Sequence, residues 1–213
     1  SDVCSSDLGV LMRVLKGVIL AMISSVLFVG CGEFSKNDVA KISFEPLSEK
    51  EEQILSLTDN RVFFYKVKNI SKGKGYKIDL NYEVYKDGKE VKNEPILTSV
   101  SETYEKGKEN ITLGINFKED NRINCLLGGE GVYSHHNYKA EENIKDYLSA
   151  NFAGDYDLEL EKGKRVCLYY ATSGNGISSN VIGMDMDSEE IKEAINKSKD
   201  CIFLSISVED YSE

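Results

Sequence analysis

The chain contains two histidines, His135 and His136, and these adjacent residues are the first candidates for chemistry. Imidazole nitrogens bind zinc and exchange protons near neutral pH. Adjacent side chains in a strand point to opposite faces, and a zinc site needs three or four converging ligands, none of which is spaced nearby. We therefore interpret the pair as part of a surface loop and keep metal binding as the less favoured hypothesis.

Asp185, Asp187 and Glu189 are carboxylates at alternating positions and form the best candidate for a calcium site. Calcium takes several oxygen ligands from a flexible loop. The segment lacks the glycine and the distal glutamate of an EF-hand loop, and we expect Asp187 to cap a helix that starts here. A metal-dependent hydrolase that uses the His135/His136 or the Asp185/Asp187 region is therefore kept as the alternative function.

Cys125, Cys167 and Cys201 lie in apolar segments that resemble strands. Their odd number and wide spacing fit neither a complete disulfide set nor a zinc cluster. Export would permit one disulfide and leave the third thiol free. Buried free cysteine behaves as a small apolar side chain. We favour that interpretation and expect no cysteine nucleophile.

Another cysteine, Cys31, follows an uncharged and mostly apolar run from Gly17 to Gly30, with Arg13 and Lys16 before it. The run has the length of a signal-peptide core and is too short to span a membrane comfortably. This order resembles a bacterial lipoprotein signal peptide, with Phe28 where that family usually carries leucine. The resemblance implies a diacylglyceryl lipid on Cys31, which becomes the mature N-terminus; no other cofactor is expected. Ordinary secretory cleavage and a permanent transmembrane anchor are the alternatives.

The resemblance also divides the chain into segments. Ser1–Leu8 resembles a translated sequencing adapter, so residues 1–11 are interpreted as a non-native leader and Met12 as the start. The remaining expected segments are a signal peptide at 12–30, a lipidated N-terminus and tether at 31–46, and a single globular domain at 47–213.

Charge narrows the range of partners. The charged residues before Cys31 cancel, so the part of the chain after it keeps the whole formal net charge of −10. An acidic surface is a poor match for phosphate backbones and is not attracted to anionic lipid headgroups. We therefore expect no nucleic-acid partner, and we expect membrane residence to depend on the lipid.

Alternating apolar residues predict a mainly β domain. Tyr76–Val84 alternates with polar side chains, as is typical of a strand buried on one face, and Asp87-Gly88 predicts a tight hairpin turn after it. Arg61–Val67 is a denser apolar run and is expected to be a central strand. The period of two recurs in Ile111–Phe117, Ile123–Leu127, Tyr156–Tyr170 and Ile202–Val208, with turns expected at Lys118–Asn121 and Gly174–Gly176.

Short helices are expected between these strands. Ser48 and Glu51 have the capping-box pattern in front of a helix over Glu49–Leu57. A second helix is predicted over Ala140–Ala150, and a third begins at Asp187. Many strands with few helices favour an antiparallel β-sandwich, immunoglobulin-like in general architecture, with two or three short helices.

The expected function rests on the anchor and on general likeness. The segment from about Leu47 to Val208 resembles small uncharacterised lipoproteins of Gram-positive bacteria, without a motif that carries catalytic residues across. An enzyme is accordingly the less favoured class. We expect a binding or interaction module at the extracytoplasmic face of the cell membrane, whose partner is an envelope protein or a small ligand.

Overall fold

The computed structural model describes residues 39–58, 60–70, 75–101, 110–129, 131–173 and 179–211. Cys31, the expected leader and signal peptide, and the turn expected at 174–176 lie outside these residues. Within the described residues, no helix is long and apolar enough to cross a membrane. The expectations about the N-terminal segments therefore stay predictions.

The described residues form eleven β-strands, two α-helices and two short 3-10 turns. The helices are α1 (Glu49–Ser56) and α2 (Glu189–Lys197), and the 3-10 turns span Ile144–Asp146 and Ser179–Val181. The strands are β1 (Ala40–Glu45), β2 (Arg61–Lys68), β3 (Gly75–Lys86), β4 (Lys89–Ser101), β5 (Ile111–Phe117), β6 (Arg122–Gly129), β7 (Val132–Lys139), β8 (Leu148–Asn151), β9 (Leu158–Leu160), β10 (Arg165–Thr172) and β11 (Asp200–Tyr211).

Six strands form the first antiparallel sheet, in the order β7-β6-β5-β2-β1-β9. β2 lies inside this sheet, with its Tyr65 opposite Phe44 of β1 on one side and Leu113 of β5 on the other. This confirms the interior position that its dense apolar pattern predicted. β7 and β9 form the two edges of the sheet.

Five strands form the second antiparallel sheet, in the order β4-β3-β11-β10-β8. The predicted hairpin joins β3 to β4 through Asp87 and Gly88, whose φ angles are 50° and 77°. Two positive φ angles in succession are what a tight hairpin turn requires, which explains the Asp-Gly pair. β11 is interior and pairs with β3 over its whole length.

The two sheets pack face to face, and their inner side chains form the main core. The rings of Tyr169 and Phe117 lie 4.6 Å apart between centroids, and Phe152 stacks on Tyr65 at 6.3 Å. Fully burying one large apolar side chain contributes about 1.5–3 kcal/mol, so this layer is the main source of stability. The fold is the predicted antiparallel β-sandwich, and its immunoglobulin-like character stays a prediction.

A second, smaller cluster covers the outer face of the second sheet. It joins Tyr170 and Phe203 of the sheet to Ile191 of α2. β3 was expected to be buried on one face only, and this is wrong because Asp79 and Glu83 on its polar face are buried too. The Thr98 hydroxyl of the neighbouring strand β4 donates to Asp79 at 2.6 Å, and Glu83 is paired with groups from β10 and β11. A period of two in the sequence does not reveal such partners.

Glu83 is fully buried in this region and has three partners. The Ser205 hydroxyl donates to its Oε1 atom at 2.5 Å, and the Tyr85 hydroxyl donates to Oε2 at 3.2 Å. The Arg165 guanidinium lies 2.9 Å from Oε2, and its side chain is 29% exposed. A carboxylate is tolerated in the interior when it is paired and hydrogen-bonded in this way.

Both helices begin at a serine cap. At α1 the predicted capping box is present, with the backbone N–H of Ser48 donating to the Glu51 carboxylate at 2.8 Å. At α2 the cap is Ser188, whose hydroxyl accepts the Ile191 N–H at 3.4 Å, and not Asp187 as expected. Asp187 lies one residue before the N-cap position, and its own N–H donates to the Asp185 carboxylate.

Two segments differ from the expected structure. Ala140–Ala150 is not a helix: it holds the 3-10 turn at Ile144–Asp146 and the start of β8, which pairs with β10. Pairing in the sheet satisfies this backbone and overrides the weak helical pattern. β1 lies within the segment 31–46 that was expected to be a tether, and its Ala40 and Ile42 are buried in the core.

Candidate end cleft

The two histidines lie in the edge strand β7 and not in a surface loop as expected. In the ladder with β6, His135 is opposite Leu126 and His136 is opposite Cys125. Successive side chains of a strand point to opposite sides, so the two exposed imidazoles diverge. The strand gives a metal ion no position that both rings share.

Two of the three candidate carboxylates, Asp185 and Glu189, have partners outside the candidate set. Asp185 Oδ1 accepts the Asp187 N–H at 3.0 Å, and the other oxygen of Asp185 lies 3.8 Å from Lys164. Glu189 pairs with Lys192 at 2.7 Å. Among the residues that the structure describes, no three or more His, Cys, Asp or Glu side chains are grouped to hold a metal ion. The metal-site and hydrolase hypotheses gain no support from this geometry.

Cys125, Cys167 and Cys201 are free and buried, as predicted. Burial raises the pKa of the Cys125 and Cys201 thiols to about 12, and it raises the pKa of Cys167 as well. The thiolate is the nucleophilic form of cysteine, and these groups stay protonated near neutral pH. Their role in the described domain is packing.

A cleft of about 470 Å³ opens at one end of the sandwich, and we call it the end cleft. Small-molecule sites in proteins have volumes of about 300–1,000 Å³. Both sheets contribute to it, together with the β5–β6 turn and the 3-10 turn that precedes β8. Its lining residues are Arg61, Phe117, Lys118, Glu119, Asn121, Arg122, Ile144, Lys145 and Tyr169.

The β5–β6 turn forms one wall of the end cleft and is fixed by its backbone. The Lys118 N–H donates to the Arg122 carbonyl at 2.8 Å, and the Ala140 N–H donates to the Asn121 carbonyl at 2.9 Å. Asn121 has a φ of 62°, a left-handed conformation that asparagine adopts more readily than most residues. These bonds fix the backbone of the turn that carries Lys118 and Arg122.

Two of the four cations at the end cleft are paired with acids. Arg122 contacts Asp120, and Lys145 lies 3.2 Å from Glu119. The hydrogen bond from Arg122 holds the pKa of the Asp120 carboxyl below its ordinary value and raises the pKa of Arg122. Exposed ion pairs of this kind contribute little to stability. Their main effect is to balance the charges of Arg122 and Lys145 at the rim of the end cleft.

The other two cations, Arg61 and Lys118, have no acidic partner within the described part of the chain. Arg61 Nη1 donates to the Ser149 hydroxyl at 2.6 Å, which orients its guanidinium. A guanidinium carries five N–H donors, so this single bond leaves others available. The end cleft therefore has two cationic groups whose charge is not locally balanced.

Tyr169 lines the end cleft and yet is only 2% exposed. Its hydroxyl oxygen is buried without a hydrogen-bond partner among the described residues. Burial raises the pKa of this hydroxyl, and the nearby Ser149 and Arg61 side chains reduce the rise. Neither side chain has hydrogen-bonding geometry with the hydroxyl. Most buried polar side chains have a partner, so this hydroxyl is an exception among the described residues.

Sequence reasoning did not find the end cleft. Its residues run from Arg61 to Tyr169 and come from separate elements, so no motif spacing connects them. The pattern identified the turn at Lys118–Asn121 and the strands that carry Arg61, Phe117 and Tyr169, but nothing in it showed that they meet; the lysine of the turn and the following arginine were the available signal. Comparisons of the chain with protein-family models, with curated proteins and with solved structures give no significant match.

Proposed function

We propose that this protein is a lipid-anchored binding module on the extracytoplasmic face of a bacterial cell membrane, with a small ligand in the end cleft. The observation that carries the ligand-binding part is the end cleft itself. It combines about 470 Å³ of space with cationic side chains at the rim and the apolar side chains of Phe117 and Ile144. Its concave form favours a small ligand over an envelope protein as the occupant.

The membrane part of the proposal is supported by the sequence around Cys31. Each buried methylene contributes about 0.8 kcal/mol and one acyl chain binds only marginally, so stable attachment needs the two chains of a diacylglyceryl group. The net charge of −10 opposes attraction to anionic headgroups. We expect Cys31→Ala to leave the precursor uncleaved or to release it from membranes on fractionation. Unchanged processing together with unchanged membrane retention would refute the anchor.

A pair of lysine variants tests whether the end cleft is the ligand site. Lys145 and Lys192 are both exposed and each forms a salt bridge with a glutamate, but only Lys145 lines the end cleft. Lys145→Trp places a large ring at the rim of the end cleft. Lys192→Trp places the same ring on α2 and controls for the loss of a salt bridge and the gain of a surface aromatic.

The measurement is the unfolding temperature of the full-length protein in detergent, with and without a panel of amino acids, organic acids, sugars, nucleosides and phosphate esters. Binding to the native state raises this temperature by mass action. We expect at least one class to stabilise the unsubstituted protein and the Lys192→Trp variant but not the Lys145→Trp variant. The proposal fails if no class stabilises the protein, or if the Lys145→Trp variant responds equally.

A further inference from the structure

We infer that the ligand of the end cleft is a small organic acid: an apolar body that carries one oxyanion group, a carboxylate or a phosphate ester. This deepens the proposed function and rests on it. The oxyanion lies against Arg61 and Lys118, and the apolar body lies against Phe117 and Ile144. Three independent properties of the end cleft lead to this assignment.

The first property is charge. Among the described residues, four cations line the end cleft, Arg61, Lys118, Arg122 and Lys145, and two acids, Asp120 and Glu119, pair with two of them, which leaves an excess of two positive charges in a chain of net charge −10. An excess of one sign of charge in a cleft attracts ligands of the opposite sign. An acidic protein that collects cations at one concave site is suited to an anion there.

The second property is the unused donors. Arg61 is held by its bond to Ser149, which orients a planar guanidinium that is able to bind two oxygens of one carboxylate or phosphate. Lys118 adds an ammonium group that has no acidic partner among the described residues. A ligand oxyanion supplies acceptors for both cations at once, whereas a neutral apolar ligand supplies none.

The third property is the apolar part of the lining. Phe117 and Ile144 line the end cleft and are each 7% exposed, so they form an apolar floor beneath the charged rim. An inorganic anion contacts only the donors and leaves this surface and most of the 470 Å³ unused. An organic body attached to the oxyanion fills the remaining space.

The test compares three probes of similar shape, phenylacetate, phenyl phosphate and the uncharged phenylacetamide, by calorimetric titration of the full-length protein in detergent. One hydrogen bond to a charged group corresponds to a factor of about ten or more in affinity. We expect at least one anion to bind about tenfold more tightly than the amide. The preferred anion then distinguishes a carboxylate from a phosphate ligand.

Three variants locate the binding energy. We expect Arg61→Gln to weaken binding of the preferred anion about tenfold or more, and Lys118→Gln to weaken it measurably. Lys192→Gln is the matched control, because Lys192 is also a lysine at the surface but does not line the end cleft. It is expected to leave the affinity for the anion unchanged.

Each remaining outcome decides against the inference. Equal affinity for amide and anions, no binding of any probe, or anion binding that Arg61→Gln leaves intact would each overturn the organic-acid assignment. The proposed function fails on a different result. It fails if no compound of the wider panel raises the unfolding temperature in a way that Lys145→Trp abolishes. If a neutral ligand stabilises the protein and Lys145→Trp abolishes this effect, the binding-module proposal stands and the organic-acid assignment is overturned.

Discussion

The buried pair of Glu83 and Arg165 offers the sharpest test of how the second sheet is held together. Glu83 has no exposed surface, whereas Arg165 is 29% exposed. Arg165→Met keeps most of the apolar stem and removes the charge. The carboxylate then keeps only the Ser205 and Tyr85 hydroxyls as donors, at 2.5 and 3.2 Å.

Removing one partner of a buried ion pair leaves an uncompensated buried charge and costs about 3–5 kcal/mol. We expect Arg165→Met to lower the free energy of unfolding by an amount in this range. Folded domains are stable by only about 5–15 kcal/mol, so this is a large part of the total. The assay is urea unfolding followed by circular dichroism at neutral pH.

Two further variants separate charge burial from general disruption. Glu83→Gln combined with Arg165→Met removes both charges and keeps side-chain shape, so the double variant should be more stable than Arg165→Met alone. Coupling between contacting residues is about 0.5–3 kcal/mol. Lys164→Met removes the neighbouring exposed lysine, paired with Glu161, and should leave the free energy of unfolding nearly unchanged.

Either of two results would show that the Arg165 charge does not stabilise buried Glu83. The first is that Arg165→Met destabilises the protein no more than Lys164→Met does. The second is that the effects of Glu83→Gln and Arg165→Met on the free energy of unfolding are additive in the double variant. In both cases Glu83 is not stabilised by the Arg165 charge in solution.

Other predictions concern the remaining buried polar groups and thiols. Without ligand, Tyr169→Phe and Tyr65→Phe should each raise the free energy of unfolding by about 1–3 kcal/mol, because each removes a buried hydroxyl without a partner. A lower free energy of unfolding in urea would contradict this prediction. Burial raises the pKa of Glu142, but hydrogen bonds from Tyr82 and Lys86 outweigh it and the net pKa is lowered. A lowered pKa in the folded state adds stability above the ordinary value of 4.5 that is lost as pH falls below it, so Glu142→Gln should flatten the acid limb of a pH–stability curve. The three buried cysteines should resist alkylation at pH 8 in the native protein and react on unfolding, and rapid native labelling would show that the strands open locally.

Local patterns predicted much of the fold because their causes are local. Asp87-Gly88 identifies its hairpin since few residue pairs adopt two positive φ angles, and Ser48 with Glu51 identifies a helix start by satisfying two free N–H groups. Alternation located β5 and β6 because one face of each strand packs against the opposite sheet.

Features that depend on distant parts of the chain were not predictable in this way. Glu83 alternates like a solvent-facing residue, and its partners Arg165 of β10 and Ser205 of β11 come from distant parts of the chain. β7 shows no alternation because nearly all of its side chains are exposed, so its histidines were assigned to a loop. The end cleft was missed for the same reason, since Arg61 and Tyr169 meet only when the two sheets pack together.

The position of β1 determines how the domain carries mechanical load. β1 is the first described strand and is bonded to β2 over five residue pairs and to β9 over three. Hydrogen bonds of antiparallel ladders lie perpendicular to the strands, so tension along β1 from its N-terminal side shears both ladders together. A domain tethered at that side resists pulling through both ladders at once and is not peeled open one bond at a time.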